Sequence, residues 1–173
     1  MSLLHDDDAP RRARGRAGVA LRVGPWPQLG PDARIVRLKV FVEEQGIAPE
    51  LELDERDATA VHAVAYDAQG APLATGRLLP DAQIGRMAVL PADRGQGVGA
   101  AILRALIAIA AGRGDVAVRL HAQRSAIGFY LREGFATEGE EYIEAGIAHQ
   151  TMARRIAGAA APADRHGGQE PPA

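Results

Sequence analysis

A glycine-rich turn that opens a long apolar helix is the segment of this sequence best suited to binding an anion. The turn consists of Arg94, Gly95, Gln96, Gly97, Val98 and Gly99. Glycines carry no Cβ, so a ligand can approach the main chain closely. The first N–H groups of the following helix lack partners within the helix and, with the positive end of the helix dipole, favour a phosphate. The pattern predicts a pyrophosphate cradle, although a tight strand-to-helix connection without a ligand fits the turn by itself equally well.

Two familiar phosphate motifs can be compared with this turn. The segment from Gly95 to Ala100 also fits the G-x-G-x-x-A fingerprint of dinucleotide-binding proteins, with Asp115 about 20 residues further on. That fingerprint belongs to a parallel βαβ unit, whereas the strands expected before this turn form an antiparallel meander, and Asp115 precedes the strand that it should end. A Walker loop is excluded because the turn lacks a Gly-Lys-Ser/Thr sequence.

The apolar pattern predicts the elements that would position this turn. Strands are expected at residues 19–23, 61–66, 73–79, 84–90 and 116–121, and around 140–144 and 148–154. Helices are expected from Pro31 to Gly46 and at 98–111 and 125–133, with a loop or short helical turn at 51–57. This order predicts a mixed α/β fold with a mostly antiparallel sheet and helices on both faces.

Composition narrows the class of protein. A chain of 173 residues predicts one domain, and a net charge of −2 with scattered arginines gives no reason to expect a nucleic-acid partner. The chain has no cysteine, which excludes disulfides and a thiol nucleophile. The longest apolar run, 100–111, is too short to cross a bilayer, so we expect a soluble, cytoplasmic protein with no membrane contact. Disordered tails are expected at 1–18 and 157–173, flanking a domain at 19–156.

Two separated motifs resemble those of the GNAT superfamily of N-acetyltransferases. The residues from Arg94 to Gly99 match its Gln/Arg-x-x-Gly-x-Gly/Ala signature at every fixed position. The run from Gln123 to Phe135 is similar to its second motif, Asn-x-x-Ala-x-x-Phe-Tyr-x-x-x-Gly-Phe, with glutamine where asparagine is usual. The segments 40–45, 53–57 and 146–152 are similar to the ElaA-like subgroup. The resemblance covers roughly residues 19–155.

This resemblance implies the acyl-CoA N-acyltransferase fold, with acetyl-CoA as cosubstrate lying where the fourth and fifth strands splay apart. It implies direct attack on the thioester by a primary amine of a small molecule or a protein. The cradle would hold the pyrophosphate, and the implied pantetheine contacts are Met87, Ala88, Val89 and Gln123. The N–H of Val89 would polarise the thioester carbonyl, and Tyr130 would protonate the departing thiolate, although Tyr130 also fits an amphipathic core position.

The group that takes a proton from the amine is left open by the sequence. The candidates are Glu43, Glu44, Asp54, Glu55, His62, His121 and His149. Glu44 is favoured because it ends a helix on the expected acceptor side, and His149 because it lies in a subgroup-like run, although a structural histidine fits there equally well. The acidic run 51–57 hints at a cationic acceptor but also fits a solvated loop.

Other properties are predicted less directly. No metal site is expected, because the sequence shows no carboxylate pair or histidine cluster at ligand spacing. The oligomeric state stays open between monomer and homodimer. A CoA-binding regulatory or interaction module without turnover is the main alternative function, and a nucleotide-binding protein that uses the same turn is a third.

Overall fold

The computed structural model describes residues 18–156, so the predicted tails lie outside the described residues, apart from Gly18. Within this range the chain forms seven strands and four α-helices. The first half contains β1 (Ala20–Pro25), α1 (Trp26–Arg37), a π-helical segment (Leu38–Glu44), α2 (Pro49–Glu52), β2 (Val61–Tyr66), β3 (Pro72–Leu78) and β4 (Ile84–Val89). The second half contains α3 (Val98–Gly112), β5 (Ala117–Gln123), α4 (Ile127–Arg132), β6 (Ala136–Glu144) and β7 (Ile147–Arg155). Short 3₁₀ turns lie at Glu55–Thr59, Pro91–Asp93 and Arg124–Ala126.

The strands are divided between two sheets that meet at one point. One sheet has the order β1-β2-β3-β4 and the other β5-β7-β6, and all neighbouring strands are antiparallel. Within residues 18–156, a single parallel bridge joins Gln83, the residue before β4, to Arg119 of β5, and the N–H of Arg119 donates to the carbonyl of Ala82 at 3.1 Å. The predicted mixed, mostly antiparallel α/β class is confirmed. Beyond the bridge β4 and β5 are edge strands that share no ladder, so a cleft opens between them.

Side-chain alternation along β2 explains why helices cover both faces of the larger sheet. Ala63 and Ala65 join the core cluster that includes the buried face of α3. Val64 and Tyr66 point to the opposite face and pack with Leu29 of α1. Successive strand residues face opposite sides, so one strand supports both layers. Each fully buried leucine or isoleucine in these layers contributes about 1.5–3 kcal/mol.

Helix α1 begins at Trp26, five residues before the start predicted at Pro31. Pro27 fits the first turn, where its missing N–H has no helical partner to lose. The ring of Trp26 covers Gly30 so closely that a Cβ there would lie 2.8 Å from it, and Arg37 lies 5.4 Å from the ring centroid. This packing stabilises the early turns, and the helix accommodates Pro31 in its interior. The predicted start was wrong because tertiary packing outweighs the local proline signal.

The end of this first helical region agrees with the sequence. The π-helical segment Leu38–Glu44 continues directly from α1, and Gly46 follows it with φ +69°. Glycine is the residue that adopts this left-handed conformation without steric cost. The helical region therefore ends where the glycine predicted, with Phe41 buried and Glu44 exposed at its last turn.

Candidate active site

A cavity of about 290 Å³ opens in the cleft between β4 and β5. Its walls come from the end of the π-helical segment, α2, β4, the end of β5, α4 and the hairpin between β6 and β7. Five of the residues that the sequence singled out line it: Met87, His121, Gln123, Tyr130 and His149. The divergence of the two sheets is what brings these residues from four separate elements to one space.

The predicted cradle lies at the start of α3. Gly95 and Gly97 have φ values of +74° and +80°, and a Cβ built at either position meets no atom within 4 Å. The left-handed conformation, which costs other residues about 1–2 kcal/mol, is therefore the reason for glycine here. The first amide that bonds along the helix is that of Ala101, which donates to the carbonyl of Gly97 at 3.1 Å. The amides of the preceding turn, Val98 to Ala100, have no acceptor within the helix.

Arg94 connects the cradle to two other elements. Its Nε donates to the carbonyl of Val89 at 3.0 Å. Its two terminal nitrogens donate to the carboxylate of Glu44 at 2.7 and 2.6 Å. These hydrogen bonds from Arg94 lower the pKa of Glu44. Glu44 thus lies beside the cradle and is not among the described residues that line the cavity.

Strand β4 presents its free edge to the cleft. The N–H of Leu90 donates to the carbonyl of Leu73 at 2.9 Å, so Leu90 points its backbone groups toward β3. Backbone groups of neighbouring strand residues point to opposite edges. The N–H of Val89 is therefore directed away from β3, on the side where the sheets diverge. Ala88, by contrast, is paired with Thr75 and is buried.

Tyr130 is held in the cavity wall by aromatic neighbours. Its ring makes edge contacts with Phe129, at 4.9 Å between centroids, and with Phe135, at 5.8 Å. Burial raises the pKa of its hydroxyl well above the usual value. No group within residues 18–156 forms a hydrogen bond with that hydroxyl. Tyr130 can therefore donate a proton into the cavity and stays protonated across the working pH range.

His149 is oriented by its own strand. Its Nδ1 lies 2.8 Å from the carbonyl of Ile147, and because a carbonyl oxygen can only accept, Nδ1 carries the hydrogen. Nε2 then has the free lone pair that a proton acceptor needs. The ring of Tyr142 stacks on that of His149 with centroids 5.9 Å apart, and the Tyr142 hydroxyl lies 2.5 Å from Nδ1 of His121.

Two glutamines in the cavity wall are hydrogen-bonded to each other across the cleft. Gln45 Nε2 donates to Gln123 Oε1 at 3.1 Å, and Gln123 Nε2 donates to Gln45 Oε1 at 2.8 Å. This reciprocal pair joins the end of the π-helical segment to the end of β5. The sequence singled out Gln123 but not its partner, because the two residues are 78 positions apart.

The acidic run 51–57 is neutralised within the protein. Its inward carboxylates and the arginines facing them form one network: Glu52, Asp54 and Asp57 with Arg37, Arg77 and Arg86. Three negative and three positive charges cancel. Hydrogen bonds from Arg77 lower the pKa of Asp54 to about 2. The predicted short helical turn is present, and Leu51 and Glu55 are exposed. The inward carboxylates are paired with arginines, so they do not form a free anionic surface.

Of the remaining predicted proton acceptors, His121 lines the cavity, whereas His62, Glu43 and Glu55 are not among the described residues that line it. His62 is buried, with Nε2 2.9 Å from the carbonyl of Asp57 and its ring 4.8 Å from that of Trp26. Glu43 and Glu55 are exposed. Residues 18–156 contain no group of three histidine or carboxylate side chains placed to hold a metal ion. No helix in the same range is long and apolar enough to cross a bilayer.

Comparison with known proteins gives consistent matches. The family described as Acetyltransferase (GNAT) domain matches residues 31–156. YjcF of Bacillus subtilis, an uncharacterized N-acetyltransferase, is 38% identical over 125 residues, which are 70% of this chain and 89% of YjcF. Escherichia coli ElaA superposes with a TM-score of 0.70 at 28% identity, covering 79% of this chain and 99% of ElaA. An acyl-CoA N-acyltransferase from Pseudomonas aeruginosa gives a TM-score of 0.70 at 30% identity over 79% of this chain and 99% of that one.

Proposed function

The chain belongs to the GNAT family of acetyltransferases, and from this premise we propose that it moves the acetyl group of acetyl-CoA to a primary amine by direct attack. The resemblance predicted from the two motifs is confirmed, as is the similarity to ElaA. The observation that carries the proposal is the meeting of Tyr130 and His149 in one cavity at the free edge of β4. The same strand leads on to the cradle.

The site fits the cosubstrate in two respects. The free edge of β4 offers backbone groups to an extended amide-bearing arm, as an added strand would use them. The cradle offers the unpaired amides of the first turn of α3, and Gly97 leaves open space above them. Arg94, held by Glu44, adds a fixed positive charge beside those amides. Glu44 therefore fits a positioning role at the cradle better than its predicted role as a base, which stays a prediction.

Three groups of the chain would act in the reaction: one accepts a proton, one donates a proton and one stabilises the charge on the carbonyl oxygen. Acetyl-CoA supplies an activated acetyl thioester when bound. His149 Nε2 takes a proton from the amine as its nitrogen bonds to the carbonyl carbon. The N–H of Val89 stabilises the negative charge on the carbonyl oxygen, a contribution of about 3 kcal/mol at comparable sites. As the carbon–sulfur bond breaks, its electron pair stays on sulfur and the hydroxyl of Tyr130 donates a proton to it. Exchange with solvent restores both side chains.

Turnover separates this proposal from its alternatives. Free CoA released from acetyl-CoA can be followed with a thiol reagent, and the absence of cysteine means that the protein adds no background. We expect amine-dependent CoA release and acetyl-CoA binding that NAD does not displace. Tight binding with no release across a broad amine panel would favour the non-catalytic CoA-binding module. Displacement by NAD would favour a nucleotide-binding protein.

A further inference from the structure

Arg86, which lines the cavity, has an unusual backbone conformation. The pairing of β3 with β4 shifts register between Thr75 and Arg77, so β4 carries a bulge at this point. Arg86 lies in the bulge with φ +50°, in the left-handed region that non-glycine residues rarely occupy. Such strain costs about 1–3 kcal/mol and concentrates at functional sites. The bulge places the side chain of Arg86 in the cavity wall.

The guanidinium of Arg86 is fixed on one side and unused on the other. Nε donates to the carbonyl of Glu52 at 2.9 Å. Nη2 donates to the carbonyl of Leu51 and to Asp54 Oδ2, both at 3.2 Å. None of the hydrogen bonds within residues 18–156 uses Nη1. The arginine is thus preorganised, with two N–H donors still available.

The carboxylates near Arg86 are already engaged by other arginines. Asp54 accepts two hydrogen bonds from Arg77, at 2.5 and 2.7 Å, and Glu52 is paired with Arg37. Burial, together with the charge of Arg77, lowers the pKa of Arg86. Arg86 lies 3.2 Å from Asp54 Oδ2 and 3.9 Å from Glu52 Oε1, farther than Arg77 and Arg37 lie from the same two carboxylates. Its ion pairs are therefore the weakest in the network, and an added anion would stabilise its charge.

We propose that the amine acceptor is a small molecule with a carboxylate group, and that Arg86 binds this carboxylate while the amine faces His149. This inference rests on the proposed acetyl transfer. A carboxylate matches the planar fork of an arginine and accepts charge-assisted hydrogen bonds from it. Arg86 would not bind the phosphates of the cosubstrate, because these would lie at the cradle, which follows the C-terminal end of β4. A cavity of about 290 Å³ is at the small end of ligand sites, which favours a compact acceptor.

Matched pairs of amines test the proposal. Glycine is compared with glycinamide, and β-alanine with β-alaninamide, with rates expressed per concentration of free amine. We expect the wild type to show a kcat/KM at least about tenfold higher for each acid than for its amide. Arg86→Gln should lower kcat/KM for the acids by roughly 10- to 100-fold, the range for a lost charged hydrogen bond, and leave the amides nearly unchanged. Arg86→Lys should recover part of the preference, because it keeps the charge but not the fork.

Two controls test whether the effect comes from the loss of any arginine or from misfolding of the variant. Arg104 is exposed, lies outside the cavity and is paired with Glu133 at 2.9 and 3.0 Å. The variant Arg104→Gln should therefore keep the wild-type preference for acids over amides. Acetyl-CoA affinity should be the same in Arg86→Gln as in the wild type, which shows that the variant is folded. If acids and amides react equally in the wild type, or if Arg86→Gln slows both alike, the proposal is overturned.

A binding measurement decides the question without turnover. Calorimetry compares N-acetylglycine with N-acetylglycinamide on the wild type and on Arg86→Gln, with and without CoA. We expect the wild type to bind the acid about tenfold more tightly and the variant to lose this difference. Equal binding of the two compounds by the wild type overturns the carboxylate site. Failure to bind acetyl-CoA overturns the proposed function instead, so the two failures can be told apart.

Discussion

Replacing Tyr130 with phenylalanine should reduce catalysis and leave folding nearly unchanged. The hydroxyl of Tyr130 has no hydrogen-bond partner among the described residues, so its removal breaks no bond within that part of the protein. The ring contacts with Phe129 and Phe135 need only the aromatic ring. Burying one fewer polar group also favours the folded state slightly. We therefore expect the free energy of unfolding to change by less than about 0.5 kcal/mol.

The catalytic loss can be estimated from the proposed role of Tyr130. A positioned general acid typically contributes about 10²–10⁴ in rate, which is about 3–5 kcal/mol of barrier. Because burial raises the pKa of Tyr130, its deprotonation should not appear in the pH–rate profile of the wild type up to about pH 10. The variant should lose kcat with little change in the dissociation constant for acetyl-CoA.

Tyr66 provides a matched control with the opposite expectation. Its hydroxyl donates to Asp32 at 2.7 Å on the face covered by α1, away from the cavity, and burial and this bond raise its pKa to about 12. Tyr66→Phe should therefore cost about 1–2 kcal/mol of stability and leave kcat unchanged. Urea unfolding, calorimetry with acetyl-CoA and the CoA-release assay measure the three quantities for both variants. If Tyr130→Phe turns over at the wild-type rate, Tyr130 is only a core residue and the reasoning is refuted.

Three further predictions concern the network, the cradle and the sheet. Asp54→Asn should lower the free energy of unfolding by about 1–2 kcal/mol at pH 7. Because the pKa of Asp54 is about 2 in the folded protein and 3.8 ordinarily, urea melts should show this difference above pH 4 and its loss as the pH falls toward 2. Gly97→Ala, at φ +80°, should cost about 1–2 kcal/mol and weaken acetyl-CoA binding in calorimetry, and unchanged affinity would argue against the cradle. Gly76→Ala should destabilise the protein by about 1–3 kcal/mol in thermal melts, because the new Cβ would lie 2.5 Å from Met87 Sδ and 2.9 Å from Ile102 Cγ2.

Several features of this protein could be predicted from the sequence because they depend on neighbouring residues. The cradle is local, since positive φ values at Gly95 and Gly97 and the free amides of a helix start require only the turn itself. Strands β2 to β4 could be predicted because short apolar runs there are separated by turn residues at 67–70 and 80–81. Tyr130 and Gln123 were found through a motif whose residues lie within one strand-to-helix connection.

Only the tertiary structure decided which distant residues share the site. Glu44 meets Arg94 across 50 positions, and the acidic run meets its arginines across 15 to 35 positions. Tyr142 lies opposite His149 because of the register of β6 on β7, which a one-residue shift would reverse. Arg86 enters the cavity through a bulge whose left-handed residue is an arginine and not a glycine. These contacts depend on where two sheets diverge and on how their strands align, and such long-range geometry has no local signal in the chain.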